Sequence, residues 1–87
     1  MIIDPRHLMQ LSAVVETGGL TEAAALLGTS QPAISRMLAA LEARLGEPLI
    51  LRDRRPLQPT ELGRVLAEQG DVIRLAARRS AEAADAL

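Results

Sequence analysis

The sequence predicts a small, mainly α-helical domain with two helices joined by a tight turn, a short β-hairpin and a long C-terminal helix. Three observations support this prediction. Apolar residues recur at helical spacing, capping residues or glycines mark the segment ends, and an arginine-rich turn separates two short β-type runs. The 87 residues suffice for one domain with a modest core, and aliphatic residues must fill that core because the chain has no Phe, Tyr or Trp.

Composition excludes several classes of protein. The chain has no cysteine, so it can form neither disulfides nor thiolate metal sites. No apolar run approaches the roughly 20 residues that a membrane span needs, and no signal peptide is visible. We therefore expect a cytoplasmic protein with no membrane association. The sequence contains no nucleophile set, acid–base pair or glycine-rich phosphate loop, so it predicts neither an enzyme nor a cofactor or metal site.

End signals predict the first two helices. Asp4 is placed to cap the first helix, with Pro5 at its first position, and Gly18 is placed to end it. Thr21 is a natural N-cap for the second helix, because its hydroxyl can accept a bond from an orphan backbone N–H. Gly28 then tolerates the left-handed geometry that ends this helix.

The third helix, about Gln31 to Leu45, has the clearest periodicity in the chain. Ser30 is placed to cap it and Gly46 to stop it. One apolar stripe comprises Ile34, Met37, Leu38, Leu41 and Leu45, and the opposite face comprises Pro32, Ser35, Arg36, Ala39, Ala40 and Ala43. Solvated faces are usually rich in Glu and Lys, so this small outer face indicates close approach to another molecule. Two helices joined by a short glycine-containing turn form a helix-turn-helix, whose second helix can enter the major groove of DNA.

The rest of the chain predicts a hairpin and a long helix. Residues 49–52 and 57–59 flank a turn of sequence Asp53-Arg54-Arg55-Pro56, and such a hairpin after a recognition helix is a wing. Thr60 is placed to cap the last helix, in which apolar residues are spaced alternately by four and three, as in a helix that pairs with a second copy. The predicted seam contains Leu62, Leu66, Gln69, Ile73, Ala76, Ser80, Ala83 and Leu87, and dimerisation is assigned to Leu62, Leu66, Ile73, Ala76 and Ala83.

With these elements in place, the chain resembles the N-terminal domain of LysR-type transcriptional regulators. The resemblance rests on Ser30-Gln31-Pro32-Ala33-Ile34-Ser35-Arg36, on Leu41-Glu42 and Leu45-Gly46, and on Ala23-Ala24 upstream. Leu49, Arg52, Thr60 and Gly63 also fit the family pattern. The resemblance implies a winged helix-turn-helix at residues 1–59 and a dimerising linker helix at residues 60–87.

The same resemblance implies the partners. Members of the family bind double-stranded promoter DNA at inverted repeats as homodimers, with tetramers possible in the full-length protein. A small-molecule effector is expected only for the C-terminal domain that normally follows the linker, and residues up to Leu87 do not include it. A truncated chain is the favoured explanation, with a naturally short regulator as the alternative.

Five positions depart from the family pattern. Pro59 stands where an apolar residue of the second wing strand is usual, so we expect that strand to be short or at a sheet edge. Leu20 and Ile50 stand where aromatic residues are usual, and both keep roughly the same apolar volume. Ala39 and Ala40 stand where basic or amide side chains are common. The two alanines remove candidate DNA contacts, so we expect DNA affinity to depend more on Arg36 and the wing.

The candidate DNA contacts concentrate in the third helix and the wing. The amide of Gln31 suits pairing with adenine, and Arg36 can either read guanine or contact phosphate. Arg52 can pair with Asp53 or Glu47, or reach the DNA backbone. The full set of candidates is Thr21, Thr29, Ser30, Gln31, Pro32, Ser35, Arg36, Arg52, Arg54 and Arg55.

The charge distribution leaves one alternative open. The net charge of −1 does not favour DNA binding, because contact between basic side chains and phosphates is the main non-specific source of DNA affinity. Residues 30–60 nevertheless carry five arginines against three carboxylates, whereas residues 1–29 carry one arginine against three. The alternative is a winged-helix module that docks another protein through its alanine face without reading DNA.

Overall fold

A computed structural model describes all 87 residues and confirms a mainly helical fold with a two-stranded wing. The elements are α1 (Pro5–Thr17), α2 (Leu20–Leu27), α3 (Gln31–Leu45), β1 (Ile50–Leu51), β2 (Gln58–Pro59) and α4 (Glu61–Asp85). The strands are antiparallel and shorter than the runs from which they were predicted, with Ile50 opposite Pro59 and Leu51 opposite Gln58. No helix is long and apolar enough to cross a bilayer.

Three of the predicted helix caps are confirmed. The Asp4 carboxylate accepts the backbone N–H of Arg6 at 2.9 Å, which caps α1. The Ser30 hydroxyl accepts the N–H of Ala33 at 3.2 Å at the start of α3. The Thr60 hydroxyl accepts the N–H of Gly63 at 3.0 Å and donates to the carbonyl oxygen of Pro48 at 2.8 Å. Thr60 therefore caps α4 and also ties it to the segment before the wing.

The predicted cap at Thr21 is wrong. Helix α2 begins at Leu20, and the N-cap residue is Gly19, whose backbone is extended and which has no side chain to make a capping bond. The N–H of Ala23 bonds to the carbonyl oxygen of Gly19 at 3.0 Å, so the first helical bond already encloses Thr21. The threonine lies within the first turn because the chain enters the helix one residue earlier than its sequence signal indicates.

The core is a single aliphatic cluster to which α1, α2, α3, the wing segment and α4 all contribute. Its buried members are Leu11, Ala13, Val14, Ala23, Ala24, Ile34, Met37, Leu38, Leu41, Leu49, Ile50, Leu57 and Ala67. The predicted apolar stripe of α3 is confirmed, with Leu45 partly buried at its end. The N–H of Leu57 bonds to the carbonyl oxygen of Gly18 at 2.8 Å, which joins the wing to the turn between α1 and α2.

Helix α4 packs on α1 and on the segment before β1 through its small residues. Gly63, Ala67 and Gly70 are its buried positions. A Cβ atom added at Gly63 would collide with the carbonyl oxygen of Leu49, and one added at Gly70 would collide with the carbonyl oxygen of Leu8. The two glycines thus allow direct backbone contact at points seven residues apart on one face of the helix. From residue 75 onward every residue of α4 is exposed.

Candidate nucleic-acid interface

The outer face of α3 is open to solvent along its whole length. Every predicted outer-face residue is exposed, and Gln31 at the start of the helix is half-buried. Arg36 is the only long side chain among these outer-face residues, and it has no ion-pair partner within the chain. Because the opposite face is held in the core, α3 presents a rigid, narrow surface with one free guanidinium.

A groove of about 470 Å³ brings four of the candidate residues together. It lies between the start of α2, the start of α3 and the wing, and it contains Thr21, Gln31, Arg52 and Arg55. The rest of its wall is formed by Gly18, Gly19, Leu20, Glu22, Leu38, Ile50 and Leu57. Leu20 and Ile50 both line this groove. They are the two positions where aromatic residues are usual in the family that the sequence resembles.

Arg52 does not pair with either of the partners expected from the sequence. Its guanidinium forms a two-pronged ion pair with Glu42 on α3, with both N–O distances at 3.0 Å. The same carboxylate accepts the N–H of Leu49 at 2.7 Å. Burial raises the pKa of Glu42, but the Arg52 guanidinium and the Leu49 N–H outweigh it and hold the pKa below its usual value. Arg52 therefore fastens the wing to α3, and its charge is largely offset.

The two arginines at the wing tip differ in their partners. Arg54 pairs with the neighbouring Asp53 at 3.1 Å, and this contact lowers the pKa of the Asp53 carboxyl. Arg55 has no carboxylate partner and instead folds over its own turn, donating to the carbonyl oxygens of Arg52 and Arg54 at 3.1 and 3.0 Å. No carboxylate therefore offsets the positive charge of Arg55, whereas an exposed aspartate partly offsets that of Arg54.

The uncompensated positive charge lies mainly on three residues in this part of the chain. Within residues 30–60, Arg36, Arg44 and Arg55 have no ion pair, while Arg52 and Arg54 are paired. Arg44 lies exposed in the last turn of α3 and was missed as a candidate. Its signal in the sequence was its position next to the outer-face alanines. Within residues 30–60, the uncompensated positive charge therefore lies on α3 and the wing tip.

The predicted dimerisation residues divide into two groups. Leu62 and Leu66 are partly buried against the protein's own core, and Ile73 is half-buried. Ala76 and Ala83 are exposed. The large apolar residues left exposed in this part of the chain include Val65 (42%) and Val72 (62%), which the predicted seam omitted. Their seven-residue spacing, beside the seam, was the signal that could have identified them.

Comparison with known proteins agrees with this geometry. The model of the family described as bacterial regulatory helix-turn-helix protein, lysR family, matches residues 5–64. The HTH-type transcriptional regulator ArgP of Pseudomonas aeruginosa (strain UCBPP-PA14) is 44% identical over 75 residues, which cover 86% of this chain and 25% of that protein. The chain thus spans about a quarter of the length of this curated relative.

Two similar crystal structures are complexes with DNA. The BenM DNA-binding domain with benA site 1 DNA has a TM-score of 0.77 and 30% identity, covering 95% of this chain and 93% of that one. The CbnR DNA-binding domain with DNA has a TM-score of 0.73 and 37% identity, covering 97% of each chain. These relatives are regulators and DNA-binding domains rather than enzymes, and they do not favour a module that only docks proteins. The chain belongs to the LysR family of bacterial helix-turn-helix regulators.

Proposed function

We propose that this chain binds double-stranded promoter DNA sequence-specifically, as a homodimer on an inverted repeat. The observation that carries the proposal is the outer face of α3, which combines small exposed side chains with one unpaired guanidinium, at Arg36. A major groove about 12 Å wide admits a helix whose outward side chains are small, and a free arginine can then reach a base edge or a phosphate. The net charge of −1 is compatible with this function because three of the five arginines without an ion pair lie on α3 and the wing.

The candidate residues have different proposed roles. Gln31 reads a base edge from the first turn of α3, Arg36 reads a base edge or contacts phosphate, and Pro32 and Ser35 contact the groove beside them. Contacts to the DNA backbone come from Thr21, Thr29, Ser30, Arg54 and Arg55. Arg52 acts chiefly by holding the wing through Glu42, since its guanidinium is already engaged.

The dimer is proposed to form through α4. Residues 1–59 form the DNA-binding unit and residues 60–87 the linker helix, and paired linkers place two recognition helices in major grooves about one helical turn or more apart. In the full-length regulator, a C-terminal domain would bind the small-molecule effector, and tetramers would form from such dimers. A protein whose ligand is bacterial promoter DNA works in the cytoplasm.

Selection of bound DNA from a random pool tests this function. We expect an enriched motif with two-fold half-site symmetry, and much weaker binding to a scrambled version of that motif. A pool without enrichment, or equal affinity for the scrambled sequence, would refute the proposal. Binding should also weaken linearly with salt concentration on a log–log plot, because phosphate contacts release counterions.

Substitution of Arg36 tests the recognition surface. Arg36→Ala should weaken binding to the selected motif by about 1–3 kcal/mol, while the matched control Arg79→Ala, which removes an unpaired arginine at the far end of α4, should bind normally. If Arg36 reads a base, its loss relaxes the sequence preference at one position. If it contacts phosphate, affinity falls equally for all sequences and the salt slope decreases by about 1. Unchanged binding of Arg36→Ala combined with Gln31→Ala would contradict the assigned surface.

A further inference from the structure

A cluster of polar side chains connects α1 with α4 at a point away from the nucleic-acid interface. Ser12 on α1 is only 1% exposed, and its hydroxyl donates to the carboxylate of Asp71. The same hydroxyl accepts from the guanidinium of Arg74 at 3.0 Å, and that guanidinium also contacts the Glu16 carboxylate at 2.6 Å. The side chain of Arg74 is 16% exposed. We refer to Ser12, Glu16, Asp71 and Arg74 as the Ser12 cluster.

The Ser12 cluster contains all of the side-chain hydrogen bonds that join the body of α4 to earlier parts of the chain. The other side-chain bonds made by residues of α4 lie within the helix or at its Thr60 cap. Gly70 lies beside the cluster, and a Cβ atom placed there would come within 2.8 Å of the Ser12 Cβ atom. The two helices thus touch at their backbones at the level where the polar bonds cross between them.

Polar bonds at this position restrict motions that apolar packing leaves open. Hydrophobic burial is non-directional, so packing of small residues alone permits α4 to rotate or tilt on α1. Charge-assisted hydrogen bonds require defined distances and angles and are about twice as strong as neutral ones. The Ser12 cluster therefore fixes both the rotation of α4 about its axis and its angle to α1.

The angle of α4 matters because the helix continues beyond the contact. The stretch from Arg74 to Asp85 is about 16 Å long at 1.5 Å per residue, and every residue in it after Arg74 is exposed. A tilt of about 10° over this length displaces the helix end by roughly 3 Å, which is close to the 3.4 Å step between successive base pairs. A small change of angle is thus large enough to change a half-site spacing by one base pair.

We propose that the Ser12 cluster sets the separation of the two recognition helices and so determines which half-site spacing the dimer accepts. This inference rests on the proposed function, because it requires a dimer that binds an inverted repeat. Ser12, Glu16, Asp71 and Arg74 are positioning residues that need not touch DNA. Their effect is on the spacing preference of the dimer, while the affinity of each domain for a single half-site stays the same.

The first test measures the helix geometry without DNA. The chain has no cysteine, so A25C and A84C, at exposed positions on α2 and α4, take nitroxide labels selectively. Pulsed electron paramagnetic resonance, with labelled chains diluted into unlabelled ones, gives the intramolecular distance distribution. We expect a narrow distribution in the otherwise unsubstituted chain and a broadened or shifted one with Ser12→Ala or Arg74→Met. The matched control Arg79→Met should leave it unchanged.

The second test measures spacing preference on inverted repeats whose selected half-sites are constant and whose spacers change by one base pair at a time. Ser12→Ala should reduce the affinity ratio between the preferred spacing and its neighbours by about three- to tenfold, the equivalent of one ordinary hydrogen bond, with unchanged affinity for a single half-site. Arg74→Met provides a second variant should Ser12→Ala fail to fold, as judged by circular dichroism.

The outcomes separate this inference from the proposed function. A distance distribution or a spacing profile that is unchanged in both folded variants would overturn the inference, even if their melting temperatures fall. That result would mean that the cluster contributes only stability. If the unsubstituted chain binds no inverted repeat, the proposed function fails and the spacing role fails with it. If the chain binds and its variants keep the same spacing preference, only the role of the cluster is refuted.

Discussion

The two longest helices, α3 and α4, begin alike and differ in what they leave exposed. Ser30 and Thr60 cap them through the same type of hydroxyl bond. The outer face of α3 is small and carries one free guanidinium, whereas α4 exposes Val65 and Val72 on one side. Alanine faces gain little from burial, but each buried valine contributes roughly 1.5–3 kcal/mol. The comparison indicates that α3 needs a polar partner with a matching shape, and α4 needs an apolar one.

The inner faces of the two helices also differ. Helix α3 buries large aliphatic side chains in the core, while α4 buries an alanine in the core and two glycines against backbone carbonyls. Glycine accordingly has a different purpose in each. Gly46 ends α3 with a φ of +74° in open space, whereas Gly63 is needed because the carbonyl of Leu49 lies where a side chain would begin. The first glycine supplies a backbone conformation, and the second permits close approach.

The largest effect is expected from a charge on the outer face of α4. Val72→Glu should dissociate the dimer, because it places a carboxylate in a surface that pairing would remove from water. Loss of the second half-site contact should weaken binding to an inverted repeat by about 10²–10⁴-fold, since linked sites gain affinity through effective concentration. Sedimentation equilibrium and DNA titration measure the two effects.

The exposure of Val72 makes this variant more informative than those at the predicted seam. Val72 is 62% exposed, so a charge there should leave the monomer folded. Leu66 and Ile73 are partly buried within their own chain, so Leu66→Glu or Ile73→Glu should lower the stability of the monomer as well. Ala81→Glu, on a different side of α4, serves as a matched control that should remain dimeric. A dimeric Val72→Glu variant would show that the partner of α4 lies elsewhere.

A second prediction tests the two uses of glycine. Gly63→Ala should lower the free energy of unfolding by about 2 kcal/mol or more, because a backbone carbonyl must move even though alanine is the better helix former. Gly46→Ala should cost only about 1–2 kcal/mol, the strain of a left-handed non-glycine residue. Urea unfolding of both variants gives the comparison. Equal stability of Gly63→Ala and the unsubstituted chain would contradict direct backbone contact between α4 and the β1 segment.

The features predicted correctly from the sequence are those that depend on neighbouring residues. The caps at Asp4, Ser30 and Thr60 each involve a backbone N–H two or three residues away. The apolar stripe of α3 likewise repeats within one helix. Thr21 shows the limit of such local signals. Helix α2 could be capped at Gly19 or at Thr21, and the sequence contains no signal that decides between these two starting points.

Contacts between distant residues were beyond these local patterns. Arg52 pairs with Glu42 ten positions earlier, although Asp53 and Glu47 are nearer in sequence. Ser12 meets Asp71 across 59 positions. Periodicity showed that α4 has an apolar side, but it could not distinguish the stripe that packs on α1 from the neighbouring stripe that stays exposed. Only the packed fold decides how those surfaces are used.

The smallest effect is expected where α3 holds the wing, at Glu42. Its pKa in the folded chain lies below the ordinary value of 4.5, so its contribution to stability is present above that value and is lost as pH falls through the lowered pKa. Glu42→Gln should therefore lower stability at pH 7 by about 1 kcal/mol or less, since the pair is partly solvated, and the variant and the unsubstituted chain should converge in acid.

Glu42→Gln is a selective change because its amide oxygen can still accept the N–H of Leu49, so that the variant removes the charge facing Arg52 and keeps the backbone contact. Glu47→Gln, which alters an exposed carboxylate without an ion pair, should show no comparable difference at either pH. Urea unfolding at pH 7 and pH 3 measures both variants. A deficit of Glu42→Gln that persists undiminished at pH 3 would show that its neutral contacts, rather than the charge pair, hold the wing on α3. In that case the Arg52 guanidinium would not be needed to hold the wing and would be free to contact DNA. The positive surface of the protein would then extend from the outer face of α3 onto the wing, in contrast to the apolar surface of α4.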